Sequence, residues 1–118
     1  APTVLKDVTR DAKIYREEVF GPVISILNFD DEAQVVKDAN DTDAGLSSFI
    51  FTTDQERAQR IAKRLRFGEV HVNGVKYAIH LPHCGVKQSG VGVDCSHLSL
   101  EEYFTVKRIS TALGKGQA

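Results

Sequence analysis

Val23-Ile24-Ser25-Ile26-Leu27-Asn28-Phe29 is a mostly apolar run with β-branched side chains on both alternations, the pattern of a strand covered on two faces. It predicts a buried strand. Asp31 then stands three residues before Gln34, a capping-box spacing, and Ala33, Val35, Val36 and Ala39 follow at helical intervals, which predicts a short helix ending near Asn40. Asp41-Thr42-Asp43-Ala44-Gly45 has turn chemistry, and Leu46 to Thr52 returns to β-favouring residues, with Phe49, Ile50 and Phe51 in succession. Thr53 and Glu56 offer a second capping box, and Ala58, Ile61, Ala62 and Leu65 hold one apolar stripe until Gly68, read as a left-handed stop. Glu69-Val70-His71-Val72-Asn73 alternates as a third strand.

Strand, helix, strand, helix, strand with short links is the order of right-handed crossovers in an α/β fold with a parallel sheet. Three strands make a small sheet whose faces both need cover, so a near-continuous apolar strand in a chain of 118 residues implies that part of its burial comes from elsewhere. The cations Arg57, Arg60, Lys63, Arg64 and Arg66 read as a solvated helix face, the last of them favoured by the helix dipole. From Gly74 to about His97 periodicity vanishes. Loops of that length are functional or disordered, and the embedded Tyr77, Ile79, Leu81 and Val86 favour function. Ser99 and Glu102 offer the cap of a brief helical turn through Tyr103. Thr105 to Leu113 then alternates as a terminal edge strand, and Gly114 to Ala118 is expected to fray.

A net charge of -1 and a pI near 6.5 supply no positive field for a phosphate backbone or an anionic membrane, so neither is an expected partner. No apolar run approaches the roughly 20 residues of a membrane span. The opening Ala1-Pro2-Thr3-Val4 lacks the features of a secretory signal, and Cys84 and Cys95 suit free thiols in a reducing compartment; a cytoplasmic location is the expectation. The chain has no methionine, which fits trimming ahead of Ala1 or excision from something longer.

Three constellations carry chemistry. In Glu17-Glu18-Val19-Phe20-Gly21-Pro22 a carboxylate can accept hydrogen bonds from both hydroxyls of a ribose, while a ring two residues later can lie against a flat heteroaromatic face. An acidic surface turn followed by a core Phe is the commoner meaning of that spacing alone. In the loop Pro82-His83-Cys84-Gly85-Val86-Lys87-Gln88-Ser89-Gly90 the glycine spacing matches neither a phosphate loop nor a dinucleotide fingerprint. His83 and Cys84, adjacent on an extended backbone, point apart and form no thiolate and imidazole pair. Finally, His80, His83, Cys84, Cys95 and His97 supply enough nitrogen and sulfur for zinc, but in no strong ligand spacing.

Together these segments resemble the aldehyde dehydrogenase superfamily. Glu17 to Val23 is similar to its EE-[IV]-FGPV segment, Phe67 to Asn73 to its F-G-x-V-x-[IV]-N strand, and Pro82 to Gly90 to its P-[FH]-GG-x-K-x-SG loop. Ser99-Leu100-Glu101-Glu102-Tyr103 and the basic alternating strand after it resemble the tail that joins subunits. The resemblance implies a parallel three-layer β-α-β-α-β core over residues 1–104, with a long loop, and a C-terminal oligomerisation strand and tail over 105–118. It further implies a parent enzyme that oxidises an aldehyde to a carboxylic acid with NAD or NADP. Glu18 matches the position that binds the nicotinamide ribose and Phe20 the ring beside the nicotinamide. His83 and Cys84 fall at the substrate pocket, Cys84 in place of the usual glycine. The backbone carbonyls of Lys87 and Gly90 match a monovalent-cation site of some members.

The family's nucleophilic cysteine, carboxylate base, oxyanion-stabilising amide and cofactor domain all lie upstream of the segment resembling Ala1, so the isolated chain is expected to be inactive. Two alternatives stand beside this reading. One is a stand-alone non-catalytic module that adds Thr105–Leu113 to itself or to a full-length subunit. The other is a small metal-binding module through the His80, His83, Cys84 and Cys95 loop.

Overall fold

The computed structural model of the chain describes residues 1–112 and 114. Strand β1 (Thr3–Leu5) runs parallel to β2 (Val23–Ser25), with Thr3 opposite Val23 and Leu5 opposite Ser25. A one-turn helix, α1 (Lys13–Arg16), lies between them in the chain. Sequence periodicity showed neither β1 nor α1, because three or four residues carry no repeat to detect. The apolar run that begins at Val23 keeps strand pairing through the amide of Ile26, which donates to the Leu5 carbonyl at 2.8 Å. Its second half, toward Phe29, is not strand.

Helix α2 (Glu32–Asn40) starts where the spacing placed it: the Asp31 carboxylate accepts from the amides of Ala33 and Gln34 at 3.0 and 3.3 Å. Strand β3 (Ser47–Ile50) leads to helix α3 (Gln55–Ala62), whose cap differs from expectation. Asp54, not Thr53, accepts from the amide of Arg57 at 2.9 Å, because the helix begins one residue later than the Thr53 and Glu56 spacing assumed. It also ends early. Lys63 closes it in right-handed geometry, and Gly68 is not among the glycines in the left-handed region, Gly74 and Gly90.

Strand β4 (Glu69–Val72) pairs in parallel with β3, from Ser47 opposite Glu69 to Ile50 opposite Val72. This β3-α3-β4 unit is the crossover the sequence predicted. The single sheet containing β2, β3 and β4 is not what forms: β2 pairs with β1, and β5 (His83–Cys84) with β6 (Val93–Asp94) makes a third, antiparallel two-stranded sheet. The architecture is mixed α/β with small parallel sheets.

Helices α2 and α3 are tied by Glu32, whose carboxylate accepts from Arg57 Nε at 2.9 Å and from Arg60 Nε and Nη2 at 3.1 and 3.0 Å. Those two arginines are therefore engaged rather than simply solvated. Asn40 completes the tie, donating to the Arg64 carbonyl at 2.9 Å and accepting from the Arg66 amide at 2.7 Å. Among the described residues, the buried hydrophobic side chains are Val36 on α2 and Ala58 on α3.

A 3₁₀ helix, His97–Tyr103, stands where a brief helical turn was expected, but Ser96 caps it, accepting from Leu98 at 3.2 Å. Glu102 instead accepts from the amide of Val93 at 2.9 Å, holding β6. The expected edge strand from Thr105 does not form through Ala112, where every residue is exposed. Its alternation finds no partner strand among the described residues, and a lone extended segment has no ladder to join. Leu113 and residues 115–118, where the strand's end and the fraying were expected, lie outside the described residues.

Candidate functional site

The acidic segment ahead of β2 makes two three-residue turns: Gly21 donates its amide to the Val19 carbonyl and Val23 to the Gly21 carbonyl, both at 2.8 Å. Phe20 stands at the first of these turns and is 96% exposed, so the described residues build no core around it. Glu17 folds back on α1, ion-pairing with Lys13 at 3.4 Å, whereas the exposed Glu18 forms no ion pair among the described residues. A free carboxylate and an uncovered ring two residues apart suit a ribose joined to a flat base.

The glycine loop does not hang free. Gly45 accepts at its carbonyl from the amides of Gly68 and Val86, both at 3.0 Å, and its own amide donates to Ser89 Oγ at 2.9 Å. The loop is thereby fastened to the start of the β3-β4 pair. His83 and Cys84, consecutive in β5, separate as expected: Cys84 Sγ lies 3.8 Å from the Gly68 carbonyl, while His83 Nδ1 bonds Glu69 Oε1. Cys84 is not among the residues with positive φ, so its backbone accepts a side chain here without strain.

Glu69 is the node of this region. Besides His83, its carboxylate accepts from Ser47 Oγ at 3.1 Å and meets His71 Nε2 at 3.0 Å. Burial pushes the Glu69 pKa up, but the hydrogen bonds from His83, His71 and Ser47 outweigh it and bring the group below the ordinary glutamate range. Phe49, opposite His71 in the β3-β4 register, stacks on its ring at 5.2 Å and 19°. Tyr77 meets His83 edge-on at 6.4 Å and contacts Cys95 Sγ through its hydroxyl at 3.5 Å, which raises the Tyr77 pKa. Ser47, Phe49, Glu69, His71, Tyr77 and His83 all line one cleft of about 530 Å³.

Sequence reading singled out His83 but missed Glu69, His71 and Ser47. Glu69 and His71 stand two apart in a strand and so share a face, a visible signal; that Ser47 and His83 meet them depends on register and loop path. Asn73 was likewise read only as the end of a strand. It adopts φ 57° and its side-chain amide clips Thr52, donating to the carbonyl and accepting from the amide, both at 2.8 Å.

Lys87 presents its ammonium, not only its carbonyl: Nζ donates to the carbonyls of Asn40, Thr42 and Ala44 at 3.3, 2.9 and 3.2 Å. It also lies 5.1 Å from the Phe67 ring centroid. Gly90 has φ 123°, a region where a side chain is strained, with open space beside it. The five His and Cys residues of the zinc alternative do not converge: among the described residues no group of three or more His, Cys, Asp or Glu is placed to hold a metal. Cys84 and Cys95 are both free thiols.

Known proteins match this chain over nearly its whole length. It is 45% identical to a betaine aldehyde dehydrogenase of Rhizobium leguminosarum over 118 residues, 99% of this chain and 24% of that protein. It is 42% identical to the aldehyde dehydrogenase tropH of Talaromyces stipitatus, covering 96% of this chain and 22% of that one. A crystal structure of an NAD-dependent aldehyde dehydrogenase from Sinorhizobium meliloti superposes with a TM-score of 0.91 at 38% identity, over 100% of this chain and 24% of that one. A Mycobacterium tuberculosis aldehyde dehydrogenase complexed with NAD+ gives 0.82 at 33% identity, over 86% and 21%. The chain thus spans about a quarter of the length of these relatives. The family model described as the aldehyde dehydrogenase family matches residues 1–109, nearly the whole chain: this chain belongs to the aldehyde dehydrogenase family.

Proposed function

We propose that this chain is the C-terminal part of an NAD(P)-dependent aldehyde dehydrogenase that oxidises an aldehyde to a carboxylic acid in the cytoplasm. The observation that carries the reading is the uncovered Phe20 ring, 96% exposed at a turn just ahead of β2, with the free Glu18 carboxylate two residues before it. Glu18 accepts from the nicotinamide ribose hydroxyls, and Phe20 packs beside the nicotinamide. When bound, the cofactor supplies the hydride acceptor. His83 and Cys84 belong to the aldehyde pocket, and the carbonyls of Lys87 and Gly90 are the positions for a monovalent cation. Residues 1–104 form part of a three-layer catalytic domain in which further strands extend the β1-β2 and β3-β4 pairs.

In this reading the chain by itself does not oxidise aldehydes, because Cys84 Sγ contacts the Gly68 carbonyl and Cys95 Sγ the Tyr77 hydroxyl, neither of them a general base for a thiol. In the complete enzyme, Glu18→Ala weakens cofactor binding and slows hydride transfer. Unaltered cofactor affinity and turnover in that variant defeats the assignment. A second reading, interaction through 105–113, is favoured by the exposure and lack of pairing of residues 105–112. There the segment adds an edge strand to another subunit, and a strict monomer of the complete enzyme by light scattering would remove it.

A further inference from the structure

We propose that His83, oriented by Glu69, is a specificity-determining hydrogen-bond acceptor in the cleft beside β4, and that the aldehyde it selects carries a hydroxyl group. The proposal rests on the aldehyde dehydrogenase reading and names the substrate class of that same pocket.

An ionised carboxylate only accepts hydrogen bonds, so the contact between Glu69 Oε1 and His83 Nδ1 places a proton on Nδ1. In the neutral ring, Nε2 is then left with a lone pair. No hydrogen bond among the described residues uses it, although the ring lines the 530 Å³ cleft and its side chain is 36% exposed. Glu69 is held for this task from two sides, by Ser47 Oγ at 3.1 Å and by His71 at 3.0 Å, and the His71 ring is itself held against Phe49 at 5.2 Å. These contacts hold the carboxylate toward His83 rather than toward a ligand. A fixed acceptor on an aromatic-walled cleft rewards a ligand that brings a donor and leaves a polar group unpaired when the donor is missing. Glu69 acts through His83 and is a positioning residue.

The test uses the complete enzyme and matched aldehydes with and without a hydroxyl on the same carbon skeleton. The expected result is a kcat/KM ratio of about tenfold or more in favour of the hydroxylated member, collapsing toward one in His83→Phe. In histidine-labelled enzyme at alkaline pH, where the imidazole ring is neutral, the nitrogen spectrum is expected to show a bare Nε2 on His83 in the wild type and mixed tautomers in Glu69→Gln, with the substrate ratio reduced in parallel. Turnover of both aldehydes with a ratio untouched by His83→Phe overturns this proposal alone. So does preference for an aldehyde bearing a quaternary ammonium, which has charge but no donor hydrogen. Absence of turnover with any aldehyde removes the underlying reading and this one with it.

Discussion

Gly68 tolerates no side chain: a Cβ there would lie 1.7 Å from the Cys84 carbonyl oxygen, so β5 can approach only because the position is bare. Gly68→Ala is expected to detach the glycine loop from the β3-β4 pair, seen as lost soluble yield and loss of hydrogen-exchange protection at Val86; normal protection there would show that the backbone gives way. Lys87 closes the same region from the other side. Replacing it by Met keeps the stem over Phe67 but removes three charged hydrogen bonds, and about 1–2 kcal/mol of stability should be lost in urea unfolding of the complete enzyme. Glu69 brings a pH dependence with a definite sign. Because its folded-state pKa is depressed, its contribution is fully present above the ordinary glutamate value and is lost as pH falls through the folded one. Acid unfolding of wild type and Glu69→Gln should therefore converge below that range and diverge above it, and parallel curves at all pH values would contradict the carboxylate's role. Of these roles, spacing showed only that Glu69 and His71 share a strand face. Gly68 looked like a helix stop, Lys87 like a backbone ligand and Glu69 like the start of an alternating strand, whereas Cys84 against Gly68, Ala44 at Lys87 and His83 at Glu69 all lie at least fourteen residues away in the chain.

At the scale of elements, local chemistry is most visible at helix starts. Asp31 caps α2 as its spacing indicated, while α3 is capped by Asp54 one residue past the expected Thr53. The two candidates make an experiment: Asp54→Ala should cost about 1 kcal/mol, whereas Thr53→Ala should cost nothing measurable in the same unfolding assay. Equal losses would return the cap to Thr53. Helix ends were less legible, because α3 stops at Ala62 well before its apolar stripe runs out at Leu65. The residues after it are held by Asn40, a tertiary contact with no signature in the helix itself. Strands followed the same division. The alternation of Glu69 to Val72 predicted β4, but the two-residue strands β5 and β6 arise from pairing alone, and the alternation from Thr105 has no partner among the described residues through Ala112.

The whole molecule is extended. Its radius of gyration is 21.3 Å, against about 13 Å for a compact chain of this length. Large apolar side chains such as Phe20, Val91 and Val106 are each 96% exposed, and only Val36 and Ala58 are buried hydrophobics among the described residues. Burial of this extent does not offset the entropy of ordering the chain. The 118-residue polypeptide alone is therefore expected to bind hydrophobic dyes and to melt without a cooperative transition, and a sharp calorimetric peak would show that it folds unaided. The sequence by itself determined the α/β alternation, the β3-α3-β4 unit, the cap of α2 and the family motifs, because each rests on residues near one another in the chain. Tertiary structure alone decided that β2 pairs with β1, that Cys84 needs Gly68 to be bare, and that Ser47, His71 and His83 converge on one carboxylate. The reason is physical: periodicity and capping are set by neighbours along the backbone, whereas strand partners and close approaches are set by whichever distant segment satisfies the exposed backbone and polar groups at least cost.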